Sequence, residues 1–170
     1  MENIVIFCSP KPNTMNTEIR SIIKSIQNVN SGEPWYGRAV YEILEEVDSS
    51  NAAVKPGANG HSLLDLLYHM ITWAEFTSKR ISGEKEPDLA AFEELDWRAI
   101  DPAVHTWAKG LIVFKKTHDE IIGLLEGKDD LFLDQMVDYR KYNFRFLLNG
   151  LIQHNIYHLG QIAYVNKFLV

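Results

Sequence analysis

The chain has 170 residues, 46% of them hydrophobic and 24% charged, ordinary proportions for one folded domain with a sizeable core. Lys and Arg total 17 against 23 Asp and Glu, a formal net charge of -6, which argues against nucleic-acid binding through a broadly basic face. The one cysteine, Cys8, excludes an intrachain disulfide and a cysteine-rich metal site.

The sequence opens with a short apolar run, Ile4 to Cys8, preceded by Glu2 and Asn3 rather than by basic residues, so it does not read as a signal peptide. No apolar stretch approaches the roughly 20 residues that a membrane helix needs, and a cytoplasmic protein with no membrane partner is the expectation. Residues 1–13 read as an N-terminal arm, with Ile4-Val5-Ile6-Phe7 extended against the body or a partner subunit and Cys8 a small packed hydrophobe. Residues 14–170 read as a single helical domain. A first helix is predicted from about Met15 to Asn28, because Ile19, Ile22, Ile23 and Ile26 recur at helical spacing. A second is predicted over about Gly37 to Val47.

A third helix opens at Ser62, where Ser62-Leu63-Leu64-Asp65 fits a capping box, and stops at Gly83. Glu84 to Asp96 reads as a solvated acidic loop without a metal role. Asp101-Pro102 reads as the cap and first position of a fourth helix ending at Gly127, with Val104, Trp107, Leu111, Phe114, Ile121 and Leu125 on its seam. After a connection over 128–142, a last helix covers about Asn143 to Phe168. Long striped helices without a credible sheet make an all-α four-helix bundle, with one further short helix.

Six histidines are present, and His154 and His158 stand i and i+4 on the last helix. Four residues advance roughly 400°, so the two imidazoles share a face about 6 Å apart along the axis. That pair can hold one metal ion, or it can be two histidines satisfied on a buried face. No Glu lies between them, so the H-E-x-x-H hydrolase pattern is absent. Gln161 shares the face and can support a ligand by a hydrogen bond.

A third ligand must come from another helix. His69, in line with Leu66, Trp73 and Phe76, is the best candidate, although a lone histidine there also reads as a satisfied core residue. Trp73, one turn on, can line a pocket beside a metal. His118 sits on a core seam, His61 reads as a loop or cap residue, and His105 as a surface one. Trp35, Trp97, Trp107 and Tyr157 read as core aromatics.

Three segments resemble the DinB/YfiT-like family: Pro34-Trp35-Tyr36-Gly37, the run Gly60-His61-Ser62-Leu63-Leu64-Asp65-Leu66-Leu67-Tyr68-His69-Met70, and the closing run from Gly150 to Ile162. The last, Gly150-Leu151-Ile152-Gln153-His154-Asn155-Ile156-Tyr157-His158-Leu159-Gly160-Gln161-Ile162, is the most specific, and the resemblance covers about residue 33 to the end. It implies a four-helix bundle with a three-histidine divalent-metal site at His69, His154 and His158, and a homodimer, as in many members. Characterised relatives include thiol transferases and isomerases that use low-molecular-weight thiols such as bacillithiol or mycothiol. The arm at 1–13 has no counterpart in that pattern.

The resulting expectation is a metal-dependent enzyme that transfers a low-molecular-weight thiol to an electrophilic small molecule. Zinc or nickel is the expected ion, with iron, manganese or copper as alternatives. Two other readings stay open: a metal-dependent hydrolase of the same bundle, and a non-catalytic metal-binding helical dimer. In the last, a fourth protein ligand closes the site, and His118 is the first suspect.

Overall fold

The computed structural model describes residues 16–84 and 89–169. The expected arm at 1–13 and Cys8 lie outside the described residues. Six α-helices occur among those described: α1 (Thr17–Ser31), α2 (Val40–Glu45), α3 (Leu63–Ser82), α4 (Leu89–Glu94), α5 (Trp107–Glu126) and α6 (Phe144–Phe168), with a 3-10 turn at Asp130–Asp134 before α6. The nearest approach to a sheet among them is an isolated bridge between Met136 and Asn143.

The bundle consists of α1, α3, α5 and α6. Both α1 and α3 pack against α5 and α6, so α1 faces α3 across the bundle. Its interior forms two apolar clusters. One gathers Ile22, Phe76, Ile121 and Leu148, and the other Leu44, Leu67, Phe114 and Leu159. No described helix is long and apolar enough to cross a membrane.

The central helix is α3, buried on nearly every side, with His69, Thr72, Thr77, Ser78 and Arg80 among its buried residues. Its ends are set locally. Ser62 Oγ accepts from the Asp65 amide at 3.1 Å, and the Asp65 carboxylate accepts from the Ser62 amide at 2.8 Å. Gly83 ends the helix at φ 84°, a conformation that glycine adopts without steric penalty. The close approach of α5 depends on Gly110, where a Cβ would stand 2.8 Å from Leu67 Cδ2 and 3.1 Å from Tyr68 Cε2. The start of α1 is held from across the chain: the Asp130 carboxylate accepts from the backbone amides of Thr17, Glu18 and Ile19 at 3.0, 3.2 and 2.8 Å.

Three expectations are corrected. The fourth bundle helix begins at Trp107, capped by Thr106, whose extended backbone interrupts any helix started at Asp101. Asp101 instead closes a turn by accepting from the amides of Ala103 and His105, and Val104 is exposed. The acidic stretch is not simply a solvated loop, since it contains α4 and the buried Phe92, which packs edge-on against Phe76 at 5.4 Å between ring centres. Two aromatics expected in the core are outside it: Trp35 is fully exposed, and Tyr157 points away from the bundle at 63% exposure. Trp107 is buried as expected, donating its indole N–H to the Leu44 carbonyl at 3.0 Å.

Candidate metal centre

His154 and His158 lie one turn apart on α6, and His69 reaches them from the adjacent α3. Their ligand nitrogens all lie within 4.8 Å of one another, so the three histidines are placed to bind a metal ion. The Nε2 atom of His69 is 2.9 Å from that of His158 and 2.8 Å from that of His154.

The outer hydrogen bonds decide what the inner nitrogens carry. His158 Nδ1 is 2.6 Å from Gln161 Oε1, an acceptor, so Nδ1 holds the proton and donates it. His69 Nδ1 is 3.1 Å from the Asp96 carbonyl and 2.9 Å from the Asp96 carboxylate, again acceptors only. Both Nε2 atoms therefore present lone pairs, and they face each other at 2.9 Å. An N–H from His154 could satisfy His69, but His158 would still confront it. Two acceptors at that separation repel unless a cation lies between them, and a divalent ion fits this donor set.

Burial also keeps the three rings in the ligating, neutral form. It pushes His154 down to about 3, helped by the neighbouring His158 and His69, and His158 down to about 4. Burial lowers His69 as well, against the opposing pull of Asp96. His154 Nδ1 is buried without a partner, so of the three rings it alone is not oriented by a bond at that nitrogen.

The residues around the triad were only partly visible beforehand. Gln161 holds His158, and Trp73 donates its indole N–H to Asp96 Oδ1 at 2.6 Å, which makes it a support for the carboxylate on His69. Asp96 ends the stretch whose composition reads as an acidic loop without a metal role. The end of that loop returns beside α3, where Thr72 Oγ1 donates to the Leu95 carbonyl at 3.0 Å and fixes Asp96 in place. Trp97 is also not a core residue, with 44% exposure. Its indole lies flat on His69 at 4.0 Å between ring centres, and His61 stacks on its other side at 3.8 Å. His105 is half-buried, edge-on to Tyr68.

His118 does not join the triad. It is fully buried, donating from Nδ1 to the Phe114 carbonyl at 2.8 Å and accepting at Nε2 from Asn155 Nδ2 at 2.8 Å. Both nitrogens are thus used, and a closing fourth ligand at this position is ruled out as built. Burial pushes its pKa down to about 4.

The fold and site together define a helical-bundle protein with an inward-facing three-histidine cluster suited to a metal ion. The chain matches the DinB superfamily over residues 37–162 and belongs to it. Among solved structures it is similar in fold to YjoA, a DinB-like protein from Bacillus subtilis, with 19% identity and a TM-score of 0.58 over 88% of this chain and 90% of that one. No curated protein matches the chain.

Proposed function

We propose that the protein is a metal-dependent enzyme that transfers a low-molecular-weight thiol to an electrophilic small molecule. The observation that carries the metal reading is the pair of facing lone pairs on His69 and His158. Three neutral imidazoles leave coordination positions for a substrate, as catalytic rather than closed structural sites do. A divalent ion held there, zinc or nickel by preference, would lower the pKa of a bound thiol or water into the neutral range.

The chain's own residues then have defined tasks. Asp96 and Gln161 keep His69 and His158 in the tautomer that offers Nε2 inward. Trp73 steadies Asp96, and Trp97 covers one face of His69 from solvent. No Glu lies between His154 and His158, so the motif supplies no general base of the H-E-x-x-H kind for activating water. This favours thiol transfer over hydrolysis. In the transfer, an S–C bond forms as the C–X bond of the electrophile breaks; X leaves with the bond pair and the thiol proton passes to solvent.

A cytoplasmic homodimer is the assembly this reading expects. Tyr157, Tyr164 and Phe168, all exposed on α6, support a contact on that helix. The test of activity is consumption of 1-chloro-2,4-dinitrobenzene by the zinc- or nickel-loaded protein. The expected result is saturable turnover that needs both the metal and an added thiol and is lost in His158→Ala. Turnover of an ester without thiol would instead support the hydrolase. Binding of metal with neither reaction would leave the non-catalytic dimer.

A further inference from the structure

Beside the histidine cluster runs a cleft of about 160 Å³ between α3 and α6. Trp73, Tyr142, Phe146 and Leu151 line it, Gly150 forms part of its wall, and His154 closes one side. No charged side chain contributes to the lining. The polar atoms of two lining residues are already used: Trp73 Nε1 donates to Asp96, and Thr77 Oγ1 donates to the Trp73 carbonyl at 2.8 Å. The cleft therefore offers aromatic and aliphatic surface and little to hydrogen-bond.

We propose that this cleft seats one aromatic ring, or an alkyl group of similar size, of a substrate whose reacting atom lies at the histidine cluster. The proposal rests on the metal-site reading for the reacting end and deepens it by naming the substrate's uncharged apolar end. Size supports it: a cavity of about 150 Å³ lined by apolar side chains takes up benzene. Position supports it too, because His154 is both a wall of the cleft and a member of the cluster, 2.8 Å from His69 through Nε2. The other flank of His69 is covered by Trp97.

Gly150 gives the cleft its room. A Cβ built there meets nothing within 4 Å, so a larger side chain would extend into open space rather than into the core. Leu is also a better helix former than Gly, so Gly150→Leu should fold while occupying the cleft. Phe146→Ala, at a residue 65% exposed, removes one wall without touching the core.

The experiment titrates toluene into chelator-treated protein and follows the Trp73 indole N–H by NMR, for wild type, Gly150→Leu and Phe146→Ala, with metal uptake measured on each. A second arm titrates benzyl mercaptan and ethanethiol into the cobalt-loaded protein and reads its visible absorption. The expected result is a saturable Trp73 shift in wild type, abolished in Gly150→Leu and weakened in Phe146→Ala, with metal uptake unchanged. Benzyl mercaptan should bind at least about tenfold more tightly than ethanethiol, given the extra apolar area buried, and Gly150→Leu should erase that preference. A metal-binding protein whose Trp73 ignores toluene, or whose Gly150→Leu variant binds it as well as wild type, would overturn the cleft and leave the metal reading standing. A Trp73 shift in a protein that takes up no metal would support the cleft and overturn the metal reading.

Discussion

Asp96 grips His69 Nδ1 with two acceptors, its carbonyl at 3.1 Å and its carboxylate at 2.9 Å, across 27 positions of sequence. A ligand histidine oriented by a carboxylate is a more basic and better-aimed ligand than a free one. In this chain the carboxylate is itself held, by the Trp73 indole N–H.

Asp96→Asn keeps a side-chain acceptor for His69 but removes the negative charge. Metal affinity should fall by roughly 10- to 100-fold, measured by zinc competition against a chromophoric chelator. Trp73→Phe, which frees the carboxylate without neutralising it, should have a smaller effect in the same direction. Unchanged affinity in Asp96→Asn would show that the negative charge beside His69 adds nothing to metal binding.

Metal affinity should hold to lower pH than three ordinary exposed histidines would allow. Protonated imidazole cannot ligate, and burial has moved His154 to about 3 and His158 to about 4, with His69 lowered too. Proton competition at His154 and His158 therefore begins only as pH approaches those values, and at His69 it begins below the ordinary histidine value of about 6.5. Competition titrations at fixed pH values check this. A steep loss of affinity beginning near pH 7 would contradict it.

His118 predicts a pH-dependent stability of definite sign. Its folded pKa, near 4, lies below the unfolded value of about 6.5, so the unfolded chain binds more protons between those limits. Stability should fall as pH drops from about 6.5 to 4 and show no further contribution from this group below that. The loss is on the order of 3 kcal/mol. Urea unfolding of metal-free protein at several pH values should give a shallower slope in His118→Gln than in wild type. Parallel curves would exclude a neutral buried His118 as the source.

Gly110→Val should destabilise the bundle by about 1–3 kcal/mol, because its Cβ would stand 2.8 Å from Leu67 Cδ2 on α3. The readout is the denaturation midpoint. Since His69 is on the helix being displaced, metal affinity should weaken in parallel. A variant as stable as wild type would show that the α3–α5 spacing is not set by this glycine.

Much of this architecture is legible before any coordinates. The Ile19–Ile26 stripe, the Ser62 cap, the Gly83 stop and the His154/His158 pair are all local patterns, each governed by residues within two turns of one another. His69 was reachable because it lies on the same kind of stripe. Asp96 and Trp97 were not. They sit in a loop without periodicity, and their roles come from where the chain returns after α4, a long-range fact with no signature in spacing. The start of α5 departs from the expectation for a different reason: Asp101-Pro102 has the chemistry of a helix start, but Thr106 provides a second one nearer the apolar seam. Tyr157 and Trp35 show the limit of treating aromatic residues as core, since apolar surface is common on folded proteins.

The most direct test of the account is the metal content of untagged protein by elemental analysis, wild type beside His154→Ala, after incubation with zinc or nickel and removal of unbound ion. The account predicts close to one equivalent in wild type and near none in the variant, with both remaining helical. A folded wild-type protein that retains no zinc, nickel, manganese, iron or copper would contradict it, and the facing histidines would then need another cation or another explanation.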